Sequence, residues 1–583
     1  MSALVARVPR PLGGLLAAVA IVGLAWALVM PAFAGPDEVQ HYSYVETLVE
    51  QHRLPGTAGP DGPQPGVEEA GRTNTTVVDL TRDPLRSGVS NPVSTAVAGL
   101  MGALNGGGMT VGIARPEQSR PAFEAWKRAA EDQPADDGGG TFPGSTYPPG
   151  YYAFEAVGYS LAVGGNAVDR LYAARIWSIL CLLFTTAGAW CLAGELLGRD
   201  RTLQLAAASV VGLWPMLTFV SSMVNPDALL YASWTWSFWA MAAVLKRGLT
   251  TPRLAILLAI TSLALLTKET SIALVPAVAF VIATGFWRLR GTPRAVWQGP
   301  ATLLALAAGV PLVAVLLLAG GGRPVLAQAS SVLSGGVTNL TEFASYVWQY
   351  YFPRLPDQQL HDFWIPVVDD YPLYNVWIAT AWAAFGWVTL YLPRSVYPWF
   401  LWTTVAVAAA AVSRLAFVLL RKQVPPALRG NLIPLLVAYG LAAGALLLGL
   451  HLTEYKLQSP TNQGRYLFPL AGLVGSALAG GLTWLPARFR QSGCATVVGL
   501  LVVFQFGCLA FVALYVLGSA LNFRPLTLRS FKLEYPRPPV MLRQLVAARR
   551  ELVGHVVLAR DVRAVAVRHL LGLVERAGRE GVV

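Results

Sequence analysis

Runs of mostly apolar residues constrain this chain first, because each one has to be taken out of water. They lie at about 12–34, 173–197, 203–222, 229–246, 254–267, 270–287, 297–319, 396–420, 432–450, 466–485 and 494–519. A hydrocarbon core ~30 Å thick needs about 20 such residues in a helix, and most of these runs reach or approach that length. Of the 583 residues 54% are hydrophobic and only 13% charged, too little charge to coat a water-soluble chain of this size. The expected class is an all-α polytopic membrane protein with about 11 transmembrane helices. Its 18 Trp and 20 Tyr agree, since amphipathic rings settle at membrane interfaces. The net charge of +12 comes mostly from short Arg and Lys clusters between apolar runs, a pattern that orients a chain in a bilayer rather than one that binds nucleic acid. Cys181, Cys191, Cys494 and Cys508 all lie inside apolar runs without metal-ligand spacing, so neither a disulfide nor a structural zinc is expected.

A twelfth run, 376–392, is short, aromatic and flanked by Pro372 and Pro393. Positive charge in short loops favours the cytoplasmic side. If 376–392 does not cross, fifteen Lys and Arg, from Arg7 and Arg10 to Arg488 and Arg490, fall on that side, and only Lys268, Lys456 and Arg465 occupy the short outer loops. If it crosses, RKQVPPALR (421–429) moves outside and the agreement is lost downstream. The run is therefore expected on or partly in the outer leaflet, with the N-terminus cytoplasmic. The last 64 residues, with 12 Lys or Arg against 5 acids, go outside under this scheme, as long tails sometimes do. Arg7, Arg10 and Ala32-Phe33-Ala34 around the first run also resemble a cleavable secretory signal, although 23 apolar residues exceed the usual signal core.

This topology gives a transmembrane domain over 1–519, with outer segments 35–172 and 320–395, and a small basic region over 520–583. The first outer segment is rich in Gly and Pro (GTAGPDGPQPG at 56–66, DDGGGTFPGSTYPPG at 136–150), with one amphipathic helix expected near 120–132. No internal repeat, heptad pattern, Walker-type loop or dinucleotide fingerprint is present.

Five polar stretches converge on the outer side: Asp37-Glu38 with His41, Tyr151-Tyr152 after Pro148-Pro149, Asn225-Pro226-Asp227, Lys268-Glu269, and Gln463-Gly464-Arg465-Tyr466. Charge at membrane depth is expensive and marks functional candidates. Asp37 emerges where the first helix leaves the hydrocarbon, a place suited to a general base; an interface or cap role is the plainer alternative. Lys268 splits an apolar stretch into two short spans and suits a lipid-linked phosphate, and Arg465 adds a fork that matches phosphate oxygens. A turn for Lys268, a snorkelling role for Arg465, a cap for Asn225 and Asp227, and a structural role for His41 are the corresponding bland readings. Trp364, Trp377, Trp382 and Trp387 suit interfacial anchoring better than sugar stacking.

Together these residues resemble the GT-C superfamily of membrane glycosyltransferases, over roughly 12–485. The acid pair with His41 after the first span looks like the protein O-mannosyltransferase and lipid A aminoarabinose transferase pattern, and LALLTKETSIALVP is similar to their Lys-bearing hairpin. The set PDEVQHYSYV, YPPGYY, NPDA, FGW (385–387) and NQGRYLFP more specifically resembles a bacterial family of predicted membrane proteins. The Gly-rich insertion before Tyr147 and the basic tail depart from the pattern.

The resemblance implies a GT-C fold and an inverting transfer from a polyprenyl-phosphate sugar to an envelope glycan or lipid-linked acceptor, on the outer face of the cytoplasmic membrane. Asp37 and Glu38 would be the catalytic acids, with Asp37 the base, and Lys268 and Arg465 would hold the donor phosphate. His41, Tyr151, Tyr152, Asn225, Asp227, Glu269, Gln463 and Tyr466 would contact substrate. No nucleotide-binding signature is needed, no cofactor is fixed by the resemblance, and a divalent cation held by Asp37 and Glu38 stays open. The competing classes are a lipid-linked-saccharide transporter or flippase, which would bury its ionisable groups near the bilayer midplane in two related halves, and a non-catalytic envelope-assembly subunit.

Overall fold

A computed structural model describes residues 8–55, 93–105, 128, 133–140, 145, 147–289, 340–352, 355–356, 358, 374–386, 390–421, 428–457 and 463–520. In chain order the helices are α1 (Arg10–Val29), α2 (Glu38–Glu50), α3 (Thr95–Asn105), α4 (Gly150–Ser160), α5 (Ala167–Leu196), α6 (Arg201–Gly212), α7 (Pro215–Ser221), α8 (Asp227–Arg247) and α9 (Thr251–Thr267). A 3-10 turn (Glu269–Leu274) leads into α10 (Val275–Arg288), and α11 (Leu340–Tyr351) and α12 (Tyr374–Trp382) follow. After a two-residue hairpin, β1 (Ala384–Phe385) with β2 (Leu390–Tyr391), come α13 (Tyr397–Leu420) and α14 (Leu432–Leu457). A 3-10 stretch (Gly464–Leu470), α15 (Ala471–Gly481) and α16 (Ala487–Ala520) complete the described chain.

Among the described residues eight helices are long and apolar enough to cross a membrane, or nine if the bent pair α6 and α7 is one span; α9 is a shorter apolar helix. The chain is thus an all-α, multi-pass membrane protein, as its apolar runs require. The run expected at 297–319, the helix near 120–132 save for Arg128, Trp364, Trp387 and nearly all of the tail from 520 onward lie outside the described residues.

The run at 203–222 is not one straight helix. Pro215 carries no N–H, and its ring opposes continuation of the preceding turn, so α6 ends at Gly212 and α7 restarts at an angle of 61°. The carbonyl of Leu213 freed by the break meets the fully buried amide of Gln505 on α16, which also accepts from the Trp26 Nε1–H of α1. The run at 376–392 does not form one span-length helix among the described residues: α12 is a nine-residue helix, and Phe385 of the following hairpin stacks on Trp26 at 4.8 Å.

Helix α8 is the centre of the bundle, with 83% of its apolar stretch buried, and its own Trp234 and Phe238 enter the core around it. At the rim, α13 has 6% of its apolar stretch buried, and its apolar side chains require lipid as their solvent. A second core, built from Phe33, Tyr42, Tyr44, Tyr151, Tyr152 and Tyr159, joins α2 to α4 and the start of α5. At the far end of α5, Glu195 pairs with Lys246 and Arg247 in the last turn of α8, where cations also suit the helix C-terminus.

Candidate active site

Between α1 and α2 the chain turns a tight corner. Gly35 sits where a Cβ would meet Met223 at 2.8 Å, and its N–H donates to Glu38 Oε2 at 3.1 Å. Phe33 and Asp37 both take left-handed backbone, φ 59° and 55°. Each costs about 1–2 kcal/mol for a residue with a Cβ, so the surroundings must hold them. Arg175 of α5, wholly buried, supplies much of that hold. Its Nε and Nη2 donate to the two Glu38 oxygens at 2.7 and 2.6 Å, Nη1 to the carbonyls of Ala27 and Met30, and Nη2 to that of Pro31. Glu38 also accepts the Val224 N–H at 3.2 Å.

Asp37, half-exposed at this corner, faces the 3-10 stretch from Gly464. Its Oδ2 lies 3.4 Å from Arg465 Nη2, and the Arg465 side chain is only 4% exposed. Among the described residues Arg465 Nε and Nη1 have no partner although both are buried. The start of the stretch is pinned twice. Gly464 N–H donates to Thr380 Oγ1 at 2.6 Å, and its Cα lies against the Trp377 carbonyl and Ala381. Tyr231 of α8 donates to the Arg465 carbonyl at 3.3 Å.

Lys268, at the end of α9, donates to Asp227 Oδ1 at 2.5 Å, and its ammonium sits 5.3 Å above the Tyr466 ring, which Arg465 also faces at 5.2 Å. Burial pulls the Lys268 ammonium down, but Asp227, Tyr147 and Tyr466 outweigh it and hold it above its ordinary range. Asp227 is set by Asn225, whose Oδ1 accepts the Asp227 N–H at 2.9 Å while Nδ2 donates to the Pro36 carbonyl at 2.8 Å. Tyr151 hydroxyl accepts the Asn225 N–H at 2.7 Å and joins Ser178 and the buried Glu155 in one chain of hydrogen bonds. His41 bonds through Nδ1 to Tyr152 hydroxyl at 2.9 Å and stacks on Tyr147. Burial drives its pKa down to about 4, with Asp37 opposing, so the imidazole is neutral at pH 7.

The five polar stretches therefore meet. Asp37, His41, Asp227, Lys268 and Arg465 form one cluster, with two carboxylates balancing two cations, and Tyr466 lies between the cations. Asn225, Tyr151 and Tyr152 hold that cluster from behind. Gln463 caps the 3-10 stretch from just before it, accepting the Tyr466 N–H through its carbonyl, and Glu269 is buried one residue beyond Lys268.

Glu38 departs from the expected role. Expected beside Asp37 as a catalytic acid, it has both oxygens committed to Arg175 and to backbone N–H groups. The same geometry disfavours a cation between Asp37 and Glu38, because one carboxylate is neutralised by Arg175 and the other faces Arg465. Among the described residues no group of three or more His, Cys, Asp or Glu stands together to hold a metal ion. Arg175 carries no motif signal, because it lies inside an apolar run and reads as part of a span.

Residues 20–474 match a family described as Predicted membrane protein (DUF2142). The chain belongs to this family. That bears out the resemblance carried by the PDEVQH, YPPGYY, NPDA and NQGRYLFP motifs to a family of predicted membrane proteins. Solved structures of similar shape include ArnT from Cupriavidus metallidurans bound to undecaprenyl phosphate, 18% identical at a TM-score of 0.30, over 65% of this chain and 66% of that one. Archaeal oligosaccharyltransferase AglB from Archaeoglobus fulgidus, in complex with an inhibitory peptide and a dolichol-phosphate, is 11% identical at a TM-score of 0.40, over 87% of this chain and 56% of that one. These likenesses are too loose to bear on function, and the chain spans less than two thirds of either protein. No curated protein matches it.

Proposed function

We propose that this family member is an inverting glycosyltransferase of the GT-C type. It moves a sugar from a polyprenyl-phosphate donor to a hydroxyl of an envelope glycan or lipid-linked acceptor, at the outer face of the cytoplasmic membrane. One observation carries the reading: a buried guanidinium with two unpartnered donor groups, Nε and Nη1, stands 3.4 Å from a half-exposed carboxylate at a membrane-helix exit. A buried unsatisfied donor is costly, and phosphate oxygens are acceptors that would satisfy these charged N–H groups, each taking its own oxygen because Nε and Nη1 point along different edges of the guanidinium.

In the reaction Asp37 takes the proton of the acceptor hydroxyl as its oxygen attacks the anomeric carbon from the face opposite the phosphate. The bond from that carbon to the phosphate oxygen breaks, and its electron pair leaves on the polyprenyl phosphate. Arg465, with the positive potential of Lys268, stabilises the charge that develops there, and fixed donors of this kind supply much of an enzyme's rate. Asp37 then returns its proton to water at the exposed mouth. Neutral His41, oriented by Tyr152, lines the acceptor side without adding charge.

The test is mass analysis of envelope glycans from a strain lacking the gene, complemented with wild type or with Asp37→Asn. Wild type is expected to restore a glycan that Asp37→Asn does not, at equal expression. Full restoration by Asp37→Asn removes Asp37 as base, and an unchanged glycan profile in the deletion strain rejects the transferase.

A further inference from the structure

Arg175 commits every N–H of its guanidinium within ten residues of Asp37. All five bonds end on Ala27, Met30, Pro31 or Glu38, at 2.6 to 3.0 Å. Both side chains of the Arg175–Glu38 pair are wholly buried. Resting on the reading of Asp37 as base, we propose that Glu38 and Arg175 form a dry clamp that positions Asp37. They are positioning residues that touch neither substrate nor the reacting atoms.

Three observations carry this. First, a buried ion pair is a poor source of stability, since two apolar residues of similar volume often do as well or better. A pair retained here, with its planar fork filled, fits a requirement of geometry better than one of stability. Second, the clamp closes the short stretch that contains both left-handed residues, Phe33 and Asp37, and the second of these carries the candidate base. Without the clamp, residue 37 is free to relax to ordinary backbone, which turns its carboxylate away from Arg465. Third, Glu38 reaches past the corner. By accepting the Val224 N–H it ties the corner to the segment that carries Asn225 and Asp227, and Asn225 returns the tie through the Pro36 carbonyl. The base and the Asp227–Lys268 pair are thus set by one assembly spanning α1, α2, α5 and the start of α8.

The test uses the full chain in lipid nanodiscs. Glu38→Met with Arg175→Met removes both charges together and leaves no orphan charge. Placement is read without any activity: with Asp37→Cys as a probe, an anionic methanethiosulfonate reagent is expected to label the thiol severalfold faster than a cationic one, because Arg465 stands beside it. The double Met variant is expected to abolish that preference. In the transfer assay, with Asp37 present, the double variant should lower turnover by ~100-fold, the cost of about 1 Å of misplacement, while affinity for undecaprenyl phosphate stays within about twofold.

An unchanged charge preference overturns the clamp, and so does full turnover in a folded double variant. Joint loss of turnover and of undecaprenyl phosphate binding also overturns it, since the pair would then support the whole pocket rather than Asp37. If the wild-type chain shows no transfer while the charge preference still collapses, the clamp stands and the base reading falls. Should the double variant fail to fold, Arg175→Lys, which keeps the charge and loses the fork, is expected to weaken both readouts; no change in either overturns the proposal.

Discussion

A left-handed backbone at a residue other than glycine persists only where its surroundings outweigh the local cost, and Asp37 is such a residue. Its place in sequence was legible because two acids directly after a long apolar run stand out against the cost of burying them. Lys268 and Arg465 were legible for the same reason. Arg175 was not: one arginine inside a span-length run reads as a snorkelling residue, and its meaning appears only when Glu38, 137 residues away in sequence, is folded against it. Gly464 carries a prediction at this scale. Any Cβ there runs into the Trp377 carbonyl and the Ala381 backbone, neither of which can swing aside. Gly464→Ala is expected to cost about 1–3 kcal/mol, the usual range for overpacking, and to displace Arg465. A thermal midpoint equal to that of wild type, measured in detergent, would show that the 3-10 stretch has room after all.

Among the elements, apolar periodicity placed the spans and missed their bends. Pro215 in GLWPM was the available signal, but a single proline inside a membrane run is also compatible with a kinked, continuous helix. What decides for a break is tertiary: Trp214 Nε1 donates to the Ala381 carbonyl at 2.6 Å, and Gln505 satisfies the freed carbonyl. Helix α2 held a second surprise. Glu46 is buried with Oε1 unpartnered, and burial lifts its carboxyl to about 8, against the helping bond from Ser94. Its folded pKa lies above the unfolded value near 4.5, so its stabilising contribution is complete below that value and disappears as pH rises through about 8. The thermal midpoint of wild type is expected to fall between about pH 4.5 and 8 and to level off above it, and Glu46→Gln to flatten that fall. Parallel wild-type and variant curves would remove Glu46 as its source. His41 acts on the opposite side. With its pKa lowered from 6.5 to about 4, its contribution is present above 6.5 and lost as pH falls through 4.

On the scale of the molecule, the class was readable from the apolar runs and the scarcity of charge. The convergence of the motifs was readable only as an expectation of shared sidedness, because sequence fixes which loops share a face but not which residues touch. Folding brings positions 37, 227, 268 and 465 into one cluster. Arg465→Ala is accordingly expected to lower affinity for undecaprenyl phosphate by ~10- to 100-fold, the range for losing hydrogen bonds to a charged group. Titration of the lipid phosphate into nanodiscs measures this, and an unmoved affinity removes Arg465 from the donor site.

Because Arg465 lies so late in the chain, the corner at Asp37 is synthesised hundreds of residues before the cation that faces it. A ribosome still making this chain has therefore already delivered the carboxylate, and Arg175 to lock it, while the guanidinium has yet to enter the membrane. In the proposed mechanism an unfinished chain lacks the guanidinium that would meet the donor phosphate, and the order of synthesis itself keeps it chemically silent toward lipid-linked sugars.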